Sequence, residues 1–425
     1  MMSSPTFTRQ AIWLCVAIFL SLVSAHPASP AFDLGSLRRD TNAGSFLIPA
    51  HRNPAVQRSG PRSKLRTLAK YGVDTSEAEK ALANNKGVIG EVAAYNQTED
   101  REWLSPVSIG TPPQEVLLDF DTGSSDLWVF SSETKTRGAI NGSRQIWNPN
   151  ASSTAERQLG GRWQIMYGDG SFASGSVWKD TVLLGNITIP DVIVESAITV
   201  SRSMVTDEVL SGLLGLAYAQ PSQVYPDSPT FLDVLTPLLD APVFTVDLHW
   251  HANGQYEFGR IDDTKYHGEL LYTPLVADSK YWEFKFTGFN VGPSVEWLES
   301  RWPAIVDTGT TLMLLQDDLV DLYYKNATDA GAVYNSTVDG YVYPCGATLP
   351  DLHVGFDNGF YVSIPGKYLN YTDMGELGSP ELCYGGLQAV GALPFSILGD
   401  VFLKSVDAVF DLGNGQIGLA DKDLI

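Results

Sequence analysis

The sequence predicts a mostly β protein built from two duplicated β lobes, and two observations lead to this prediction. From about Trp103 onward, short apolar or alternating runs such as PVSIG, EVLLDF, SGSVWKDTVLL, ITIPDVIV and FTVDLHW are separated by Gly, Pro, Asn and Asp. This is the pattern of strands and turns. The tripeptide Asp-Thr-Gly also occurs twice, each time after an apolar run, in LDFDTGSSDLWVF and in AIVDTGTTLMLL.

The first 86 residues are predicted to precede the lobes. Arg9 is followed by AIWLCVAIFLSLVSA, an apolar run of about 13 residues ending in small side chains, which is typical of a secretory signal cleaved near Ala25. It is shorter than the roughly 20 residues that span a bilayer. We therefore predict a signal peptide over 1–25 and a basic propeptide over 26–86, whose end lies between 86 and 94.

Charge is distributed unevenly between residues 26–86, called the leader below, and the chain from Gly87 onward, called the body. Residues 26–86 contain ten Lys/Arg against five Asp/Glu, whereas the body from Gly87 onward contains 17 against 44. The body should attract its own propeptide at neutral pH and lose that attraction as carboxylates protonate. It should repel nucleic acid and anionic membranes, so neither is an expected partner. A merely solvated basic linker is the alternative interpretation of the leader.

The two Asp-Thr-Gly copies belong to a longer repeat. Asp121 precedes Gly215 of SGLLGLA by 94 residues, and Asp307 precedes Gly399 of FSILGDV by 92 residues. Two motifs recurring at matched spacing indicate a duplicated unit. We place an N-terminal β lobe at 87–275 and a C-terminal β lobe at 276–425. Helical spacing of apolar residues occurs only locally, in segments 62–72, 228–240 and 315–327.

Paired Asp-Thr-Gly turns can build a catalytic site. If the lobes pack about a pseudo-twofold axis, Asp121 and Asp307 lie together, and two carboxylates in contact share one proton. Such a pair can take a proton from water while giving one to a carbonyl oxygen. The flanking residues have the types needed to hold the pair, with backbone N–H groups that can approach and hydroxyls that can donate: Thr122, Gly123, Ser124, Thr308, Gly309 and Thr310.

Between Trp103 and Ala420 the chain resembles the pepsin-like (family A1) aspartic endopeptidases, most closely the secreted fungal enzymes of the penicillopepsin and aspergillopepsin type. The resemblance rests on FDTGSSDLWVF, IMYGDGSFASG, GLLGLA, VDTGTTLMLL, FSILGDVFLKS and VFDLGNGQIGLA. It implies a bilobal pepsin-like fold with the cleft between the lobes and Asp121 and Asp307 as the catalytic pair. It further implies a monomer that hydrolyses proteins and peptides at acid pH, is inhibited by pepstatin-type compounds, and needs no cofactor or metal.

The stretch YGDGS is a hairpin turn between two apolar runs. By the resemblance it is the flap that closes over substrate, formed by Tyr167, Gly168 and Asp169, and the Tyr167 hydroxyl is expected to donate a hydrogen bond to Trp128. A flap carboxylate at Asp169 would let the enzyme accept Lys, besides large apolar residues, at P1, the residue on the amino side of the scissile bond. An ordinary hairpin whose Asp169 is only a turn former is the alternative.

The leader contains LAKYGV, in which Lys70 and Tyr71 resemble the Lys-Tyr pair that occupies the active site of pepsin-like zymogens. An ammonium there would pair with both carboxylates and block substrate. Acidification should weaken this hold and allow self-cleavage, with Lys86 to Ala94 as the junction region.

The cysteines and sequons suit an exported protein. Cys15 leaves with the signal peptide, and Cys345 and Cys383 are expected to form one disulfide in an oxidising compartment, two free thiols being the alternative. Extracellular secretion is expected ahead of a vacuolar destination. Candidate glycosylation sequons start at seven positions, Asn96, Asn141, Asn150, Asn186, Asn326, Asn335 and Asn370.

Other functional classes have weaker support. A serine hydrolase would need a positioned nucleophile, and no G-x-S-x-G occurs in the chain. Metal catalysis lacks H-E-x-x-H or clustered Cys/His, and His249 and His251 are expected to alternate with Trp250 on a strand rather than to form a ligand set. A pepsin-like binding protein without catalysis should have lost an Asp, Thr or Gly from one turn, and both turns are intact. Composition does not exclude a structural or carbohydrate-binding cell-surface protein.

Overall fold

The computed structural model describes residues 44–53, 59–84, 102–139, 144–167, 171–292, 296–327, 330–357 and 359–424. The predicted signal peptide, the junction region 86–94, and Asn96 and Asn141 lie outside these residues. Strands dominate the described chain, so the predicted mostly β class is confirmed. The helices are short: α1 (Gly60–Lys70), α2 (Ser76–Asn84), α3 (Arg202–Val205), α4 (Phe231–Leu235), α5 (Asp317–Asn326) and α6 (Asp400–Leu403).

The largest sheet has 14 strands and draws on the leader, the N-terminal half and the C-terminus. Along the sheet the order is β12-β25-β24-β10-β11-β1-β2-β3-β8-β4-β7-β6-β5-β9. Its strands are β1 (Phe46–Arg52), β2 (Trp103–Ile109), β3 (Gln114–Asp121), β4 (Leu127–Phe130), β5 (Glu156–Met166), β6 (Phe172–Leu184), β7 (Ile187–Val200), β8 (Gly212–Gly215), β9 (Val224–Tyr225), β10 (Val243–Asp247), β11 (Gly254–Phe258), β12 (His267–Pro274), β24 (Asp407–Asp411) and β25 (Gln416–Asp421).

Two smaller sheets are built from strands between residues 283 and 398 of the C-terminal half. One has seven strands in the order β19-β18-β13-β14-β23-β15-β22, and the other has four in the order β16-β17-β21-β20. Their bounds are β13 (Glu283–Val291), β14 (Leu298–Val306), β15 (Met313–Leu315), β16 (Val333–Asn335), β17 (Gly340–Pro344), β18 (Leu352–Phe356), β19 (Tyr361–Ile364), β20 (Asn370–Met374), β21 (Ser379–Gly385), β22 (Leu387–Ala389) and β23 (Ser396–Leu398).

The proposed lobe boundary near residue 275 follows directly after β12 and stays a prediction. The two halves share strands across it, because β24 pairs with β10 and β25 pairs with β12. Aromatic rings from both sides also pack there: Phe244 stacks on Phe410 with ring centroids 4.6 Å apart, and Trp282 lies edge-on to Phe410 at 5.0 Å. This shared sheet holds the two halves of the cleft together.

Leader strand β1 was not expected from the sequence. Its residues Phe46 to Ala50 pair with β11, and His51 and Arg52 pair with β2, all antiparallel. Phe46, Ile48 and Ala50 are buried. The leader is therefore part of the largest sheet.

The three segments with helical spacing all contain helix: α1 is shifted by two residues toward the N-terminus, and the other two helices are shorter than expected. Segment 62–72 forms α1, which begins after Ser59 as N-cap and has Pro61 in its first turn. Segment 315–327 forms α5. Segment 228–240 forms only α4, capped by a Thr230–Asp233 capping box, and then a 3-10 turn over Thr236–Leu238. Pro237 has no N–H to continue the α-helical ladder, which explains the early end of α4.

The expected disulfide between Cys345 and Cys383 is present. Four of the candidate glycosylation residues are exposed, Asn150, Asn186, Asn326 and Asn370, and Asn335 is half-buried. Among the described residues, no helix has both the length and the apolar character needed to cross a membrane.

Candidate active site

Each Asp-Thr-Gly turn lies at the end of a buried strand, in two copies of one arrangement. Asp121 is the last residue of β3, which runs parallel to β8, and Asp307 follows β14, which runs parallel to β23. The Leu216 N–H donates to Asp121 O at 2.7 Å, and the Asp307 N–H donates to Leu398 O at 3.2 Å. The second repeated motif thus supplies the strand that supports the first.

Backbone packing explains why both supporting motifs contain glycine. A Cβ on Gly215 would lie 2.5 Å from the Ser125 backbone, and one on Gly399 would overlap the carbonyl oxygen of Thr310. Those distances are too short for any side chain, so β8 and β23 can approach the turns only through Gly.

The two turns are tied to each other by reciprocal threonine hydrogen bonds. The Thr122 N–H donates to Thr308 Oγ1 at 2.9 Å, and the Thr308 N–H donates to Thr122 Oγ1 at 3.0 Å. Each hydroxyl then donates to a carbonyl oxygen of the other strand, Thr122 Oγ1 to Val306 O and Thr308 Oγ1 to Phe120 O. This exchange fixes the distance between the two carboxylates without using either of them.

The carboxylate oxygens are held from within their own turns. The Gly123 N–H donates to Asp121 Oδ1 at 2.8 Å, and the Gly309 N–H donates to Asp307 Oδ1 at 3.0 Å. Ser124 Oγ donates to Asp121 Oδ2, and Thr310 Oγ1 donates to Asp307 Oδ2 in the same way. A Cβ at Gly123 would lie 2.5 Å from Asp307 Oδ1. The carboxylates therefore lie together only because the third residue of each turn is glycine.

Lys70 of the leader lies between the two carboxylates. Its Nζ donates to Asp121 Oδ1 at 2.7 Å and to Asp307 Oδ1 and Oδ2 at 2.9 and 3.0 Å. The Tyr71 hydroxyl donates to Asp307 Oδ2 at 2.8 Å, and its ring lies edge-on to Tyr281 and Phe395. One ammonium and one phenol from the leader thus satisfy both acids.

The two acids differ in their electrostatics. Burial raises the pKa of Asp121 above its ordinary value, against the Lys70 ammonium and with added repulsion from Asp307. Burial would also raise the pKa of Asp307, but the Lys70 ammonium and hydrogen bonds with Asp121 and Thr310 lower it below its ordinary value. Burial would lower the pKa of Lys70, and the two carboxylates hold it above its ordinary value instead. One acid therefore retains its proton more readily than the other.

Comparison with known proteins agrees with this geometry. The family model described as eukaryotic aspartyl protease matches residues 102–422, and so includes both turns. The chain belongs to this family. It is similar to endothiapepsin of Cryphonectria parasitica, with 41% identity over 90% of this chain and 92% of that protein. It is also similar to aspergillopepsin-1 of Aspergillus fumigatus, at 40% over 84% and 86%, and to penicillopepsin-1 of Talaromyces stipitatus, at 39% over 95% and 97%. The protein is an aspartic endopeptidase of the pepsin family.

In this aspartic endopeptidase, the base of the hairpin predicted to be the flap is described, but its tip is not. Tyr167 follows β5 and is buried, whereas Gly168 and Asp169 lie outside the described residues. Trp128 Nε1 donates to the Tyr167 hydroxyl at 2.8 Å. The expected direction of this hydrogen bond was therefore wrong, because the indole N–H can only donate. The leader also reaches Tyr167, since the Arg66 guanidinium lies 5.6 Å from the centre of its ring.

A second pair of buried acids, Asp126 and Glu195, was not predicted from the sequence. Asp126 and Glu195 share a side-chain hydrogen bond, and the Gln223 N–H donates to Asp126 Oδ1 at 2.6 Å. Burial is the main cause that raises the pKa of both groups, with mutual interaction adding to that of Glu195. The only sequence signal is a Glu inside the apolar run VIVESAITV. Glu195 lies opposite Trp128 in the β4–β7 pairing, so the pair supports the strand that carries the flap contact.

No group of three or more His, Cys, Asp or Glu in the described part of the protease has the arrangement of a metal site. The prediction that His249 and His251 lie on a strand was wrong, because β10 ends at Asp247 and His251 has φ of 55° in a turn. His249 Nε2 lies 3.2 Å from Asp247 Oδ2.

Proposed function

We propose that this aspartic endopeptidase is made as a secreted zymogen whose Asp121–Asp307 pair activates water for peptide-bond hydrolysis at acid pH. The observation that carries the proposal is the position of Lys70 Nζ, within 3.0 Å of both carboxylates. That position equally suits a water molecule held by the same oxygens once the leader has left. Segment 26–86 is then the propeptide and 1–25 the signal peptide.

The chemistry follows from the shared proton. Once Lys70 has left, two carboxylates in contact hold one proton between them. The ionised carboxylate takes a proton from water, and the protonated acid gives its proton to the carbonyl oxygen of the substrate. Ser124 and Thr310 each donate a hydrogen bond to Oδ2 of the Asp in their own turn. The carboxylates therefore keep a fixed orientation toward the attacking water. Thr122 and Thr308 keep the two turns at a constant distance through the reaction.

Inhibition by the leader follows from the same contacts. Lys70 is 11% exposed as a side chain, and the acids it meets are buried, so a substrate carbonyl cannot approach while it remains. Tyr71 occupies an aromatic pocket next to Asp307, and Arg66 lies against the flap tyrosine. The leader thus occupies the dyad and holds the flap base at the same time.

Acid should release this block, because the ion pair between Lys70 and Asp307 depends on an ionised Asp307. Its pKa in the blocked state lies below the ordinary value, so the ion pair with Lys70 contributes fully above the ordinary pKa and is lost as pH falls through the lowered one. The acidic body and basic leader lose attraction over the same range. Self-cleavage then follows in the junction region from Lys86 to Ala94.

We propose that the flap influences which residue is accepted at P1. Large apolar residues are preferred at P1, and Lys is accepted through Asp169. The signal peptide and the disulfide between Cys345 and Cys383 fit an extracellular protein, and pepstatin-type compounds should inhibit the mature enzyme. The chain is proposed to act as a monomer.

A pH-jump experiment on the purified precursor tests the zymogen proposal. Wild type, Asp121→Asn and Lys70→Met are moved from neutral to acid pH and followed by gel and N-terminal sequencing. Wild type should mature, Asp121→Asn should not, and Lys70→Met should mature at higher pH than wild type. Lys80→Met, which removes an exposed lysine of the same leader, is the matched control and should mature like wild type. Maturation of purified Asp121→Asn at the wild-type rate would show that self-processing is wrong.

A further inference from the structure

A second lysine of the leader is bound by the body of the protease, away from the dyad. Lys64 Nζ donates to Asp339 O at 2.7 Å and to Asp339 Oδ2 at 2.9 Å. The Lys64 side chain is only 4% exposed, whereas that of Asp339 is 47% exposed. A buried ammonium in contact with a carbonyl oxygen and a carboxylate is a strong, charge-assisted arrangement.

Residues of the body contribute to holding Asp339 in place. The Tyr334 hydroxyl donates to Asp339 Oδ1 at 2.6 Å, which leaves Oδ2 turned toward Lys64. Asp339 has φ of 49° in the turn between β16 and β17, a conformation that Asp and Asn tolerate better than most residues. The next residue, Gly340, is packed so closely on the Tyr384 ring that a Cβ would lie 2.5 Å from it. Contacts within the body thus orient the carboxylate and the carbonyl group of Asp339.

The site is joined to the dyad by α1. Lys64, Leu68 and Tyr71 follow one stripe of α1 and its C-cap, and Tyr71 contacts Asp307. Lys64 precedes Lys70 by six residues, which is about 9 Å along a helix. An extended peptide advances about 3.3 Å per residue, so the same span covers about three residues of a bound substrate.

We propose that the carboxylate and backbone carbonyl of Asp339 form a subsite for a basic side chain of the substrate, about three residues from the scissile bond. The leader fills this subsite with Lys64 in the precursor, and a substrate Lys or Arg fills it in the mature enzyme. The proposal rests on the proposed function, because it requires the leader to leave. Its ligand is an alkylammonium or guanidinium group whose stem lies along the cleft wall.

The test uses acid-matured enzyme and pairs of peptides that differ only in Lys versus norleucine, placed in turn at each position from the fourth residue before the scissile bond to the fourth after it. The P1 position is left out, so that any effect of Asp169 is not counted. We expect kcat/KM for Lys to exceed that for norleucine by about three- to tenfold at one position, the range of a partly exposed charge-assisted contact. In Asp339→Asn this ratio should fall to about one, with norleucine peptides cleaved as by wild type.

Asp357→Asn is the matched control, because Asp357 is 43% exposed and removing its charge changes the net charge equally. It should keep the wild-type Lys/norleucine ratio. A ratio that is unchanged in Asp339→Asn at every position, or that falls equally in Asp357→Asn, would overturn the subsite. Cleavage of the norleucine peptides reports folding and the proposed function separately: no cleavage of any peptide by wild type would count against the proposed acid activation, whereas cleavage without a preference for Lys at any position would overturn the subsite.

Discussion

Replacing Asp407 by Asn should stabilise the protein selectively at neutral pH. Asp407 is the first residue of β24 and is 2% exposed. Its Oδ1 meets no hydrogen-bond donor among the described residues. Its neighbour Lys422 donates to Asp247 Oδ1, Leu248 O and Leu403 O instead. Asp407 is thus a buried acid next to an ion pair that does not include it.

The magnitude follows from its pKa. Burial, added to repulsion from Asp247 and opposed by Lys422, raises the pKa of Asp407 from 3.8 to about 7. Because the folded state holds this proton more tightly than the unfolded chain, stability is full below pH 3.8 and is lost as pH rises toward 7. At about 1.4 kcal/mol for each pKa unit, the loss amounts to about 4 kcal/mol. Asn carries no charge, so the variant should escape most of it.

The assay is urea unfolding at about pH 4 and at about pH 7.5, on either side of the raised pKa. Both proteins carry Asp121→Asn, which prevents self-digestion during the measurement. The parent should lose about 4 kcal/mol more than the Asp407→Asn variant between the two pH values. Asp423→Asn, which removes an almost fully exposed carboxylate two residues after the neighbouring strand β25, should behave like the parent. Equal losses in the parent and in Asp407→Asn would refute the reasoning.

Three other predictions concern the dyad, the disulfide and the flap. Asp121→Asn or Asp307→Asn should each abolish peptide hydrolysis while leaving a folded, secreted protein, since an amide cannot share the proton; near-normal turnover by either purified variant would contradict the dyad. Replacing Cys345 and Cys383 by Ala should lower the free energy of unfolding by about 4 kcal/mol, because the disulfide closes a loop of 38 residues; an unchanged urea midpoint would argue against this. Asp169→Ser should lower kcat/KM for a peptide with Lys at P1 more than for its Leu partner, and equal losses would leave Asp169 as a turn former.

The repeat in the sequence was enough to predict where the dyad would form. Asp121 and Asp307 each follow an apolar run, and the glycines of the second motif occur at matched distances, so one arrangement of strands had to serve both. The repeat also puts Thr122 and Thr308 at equivalent positions in the two turns, so reciprocal hydrogen bonds between them could be predicted. Local patterns are sufficient when the same local structure is used twice.

Contacts between distant segments could not be predicted in this way. The leader strand FLIPAHR contains a proline and meets residues 254–258, about 200 positions away, so no local pattern indicates the pairing. The contact between Lys64 and Asp339 joins residues 275 positions apart. Glu195 looks like an isolated acid in an apolar run, and Asp126 looks like one more polar residue after the first Asp-Thr-Gly. Only their pairing shows why burial is tolerated. The direction of the Trp128–Tyr167 hydrogen bond, by contrast, could have been predicted from the sequence, because an indole N–H can only donate.

Strand β1 ties the leader into the largest sheet, apart from the contacts of Lys70 and Tyr71 with the dyad. It fills the place between β11 and β2, so its removal breaks two ladders and leaves two facing rows of N–H and C=O groups without partners. It also removes the buried side chains of Phe46 and Ile48 from the core. A body without this segment would have to fill the gap between β11 and β2 in another way. A separate peptide that contains only α1 could therefore cover the dyad but could not restore the original sheet.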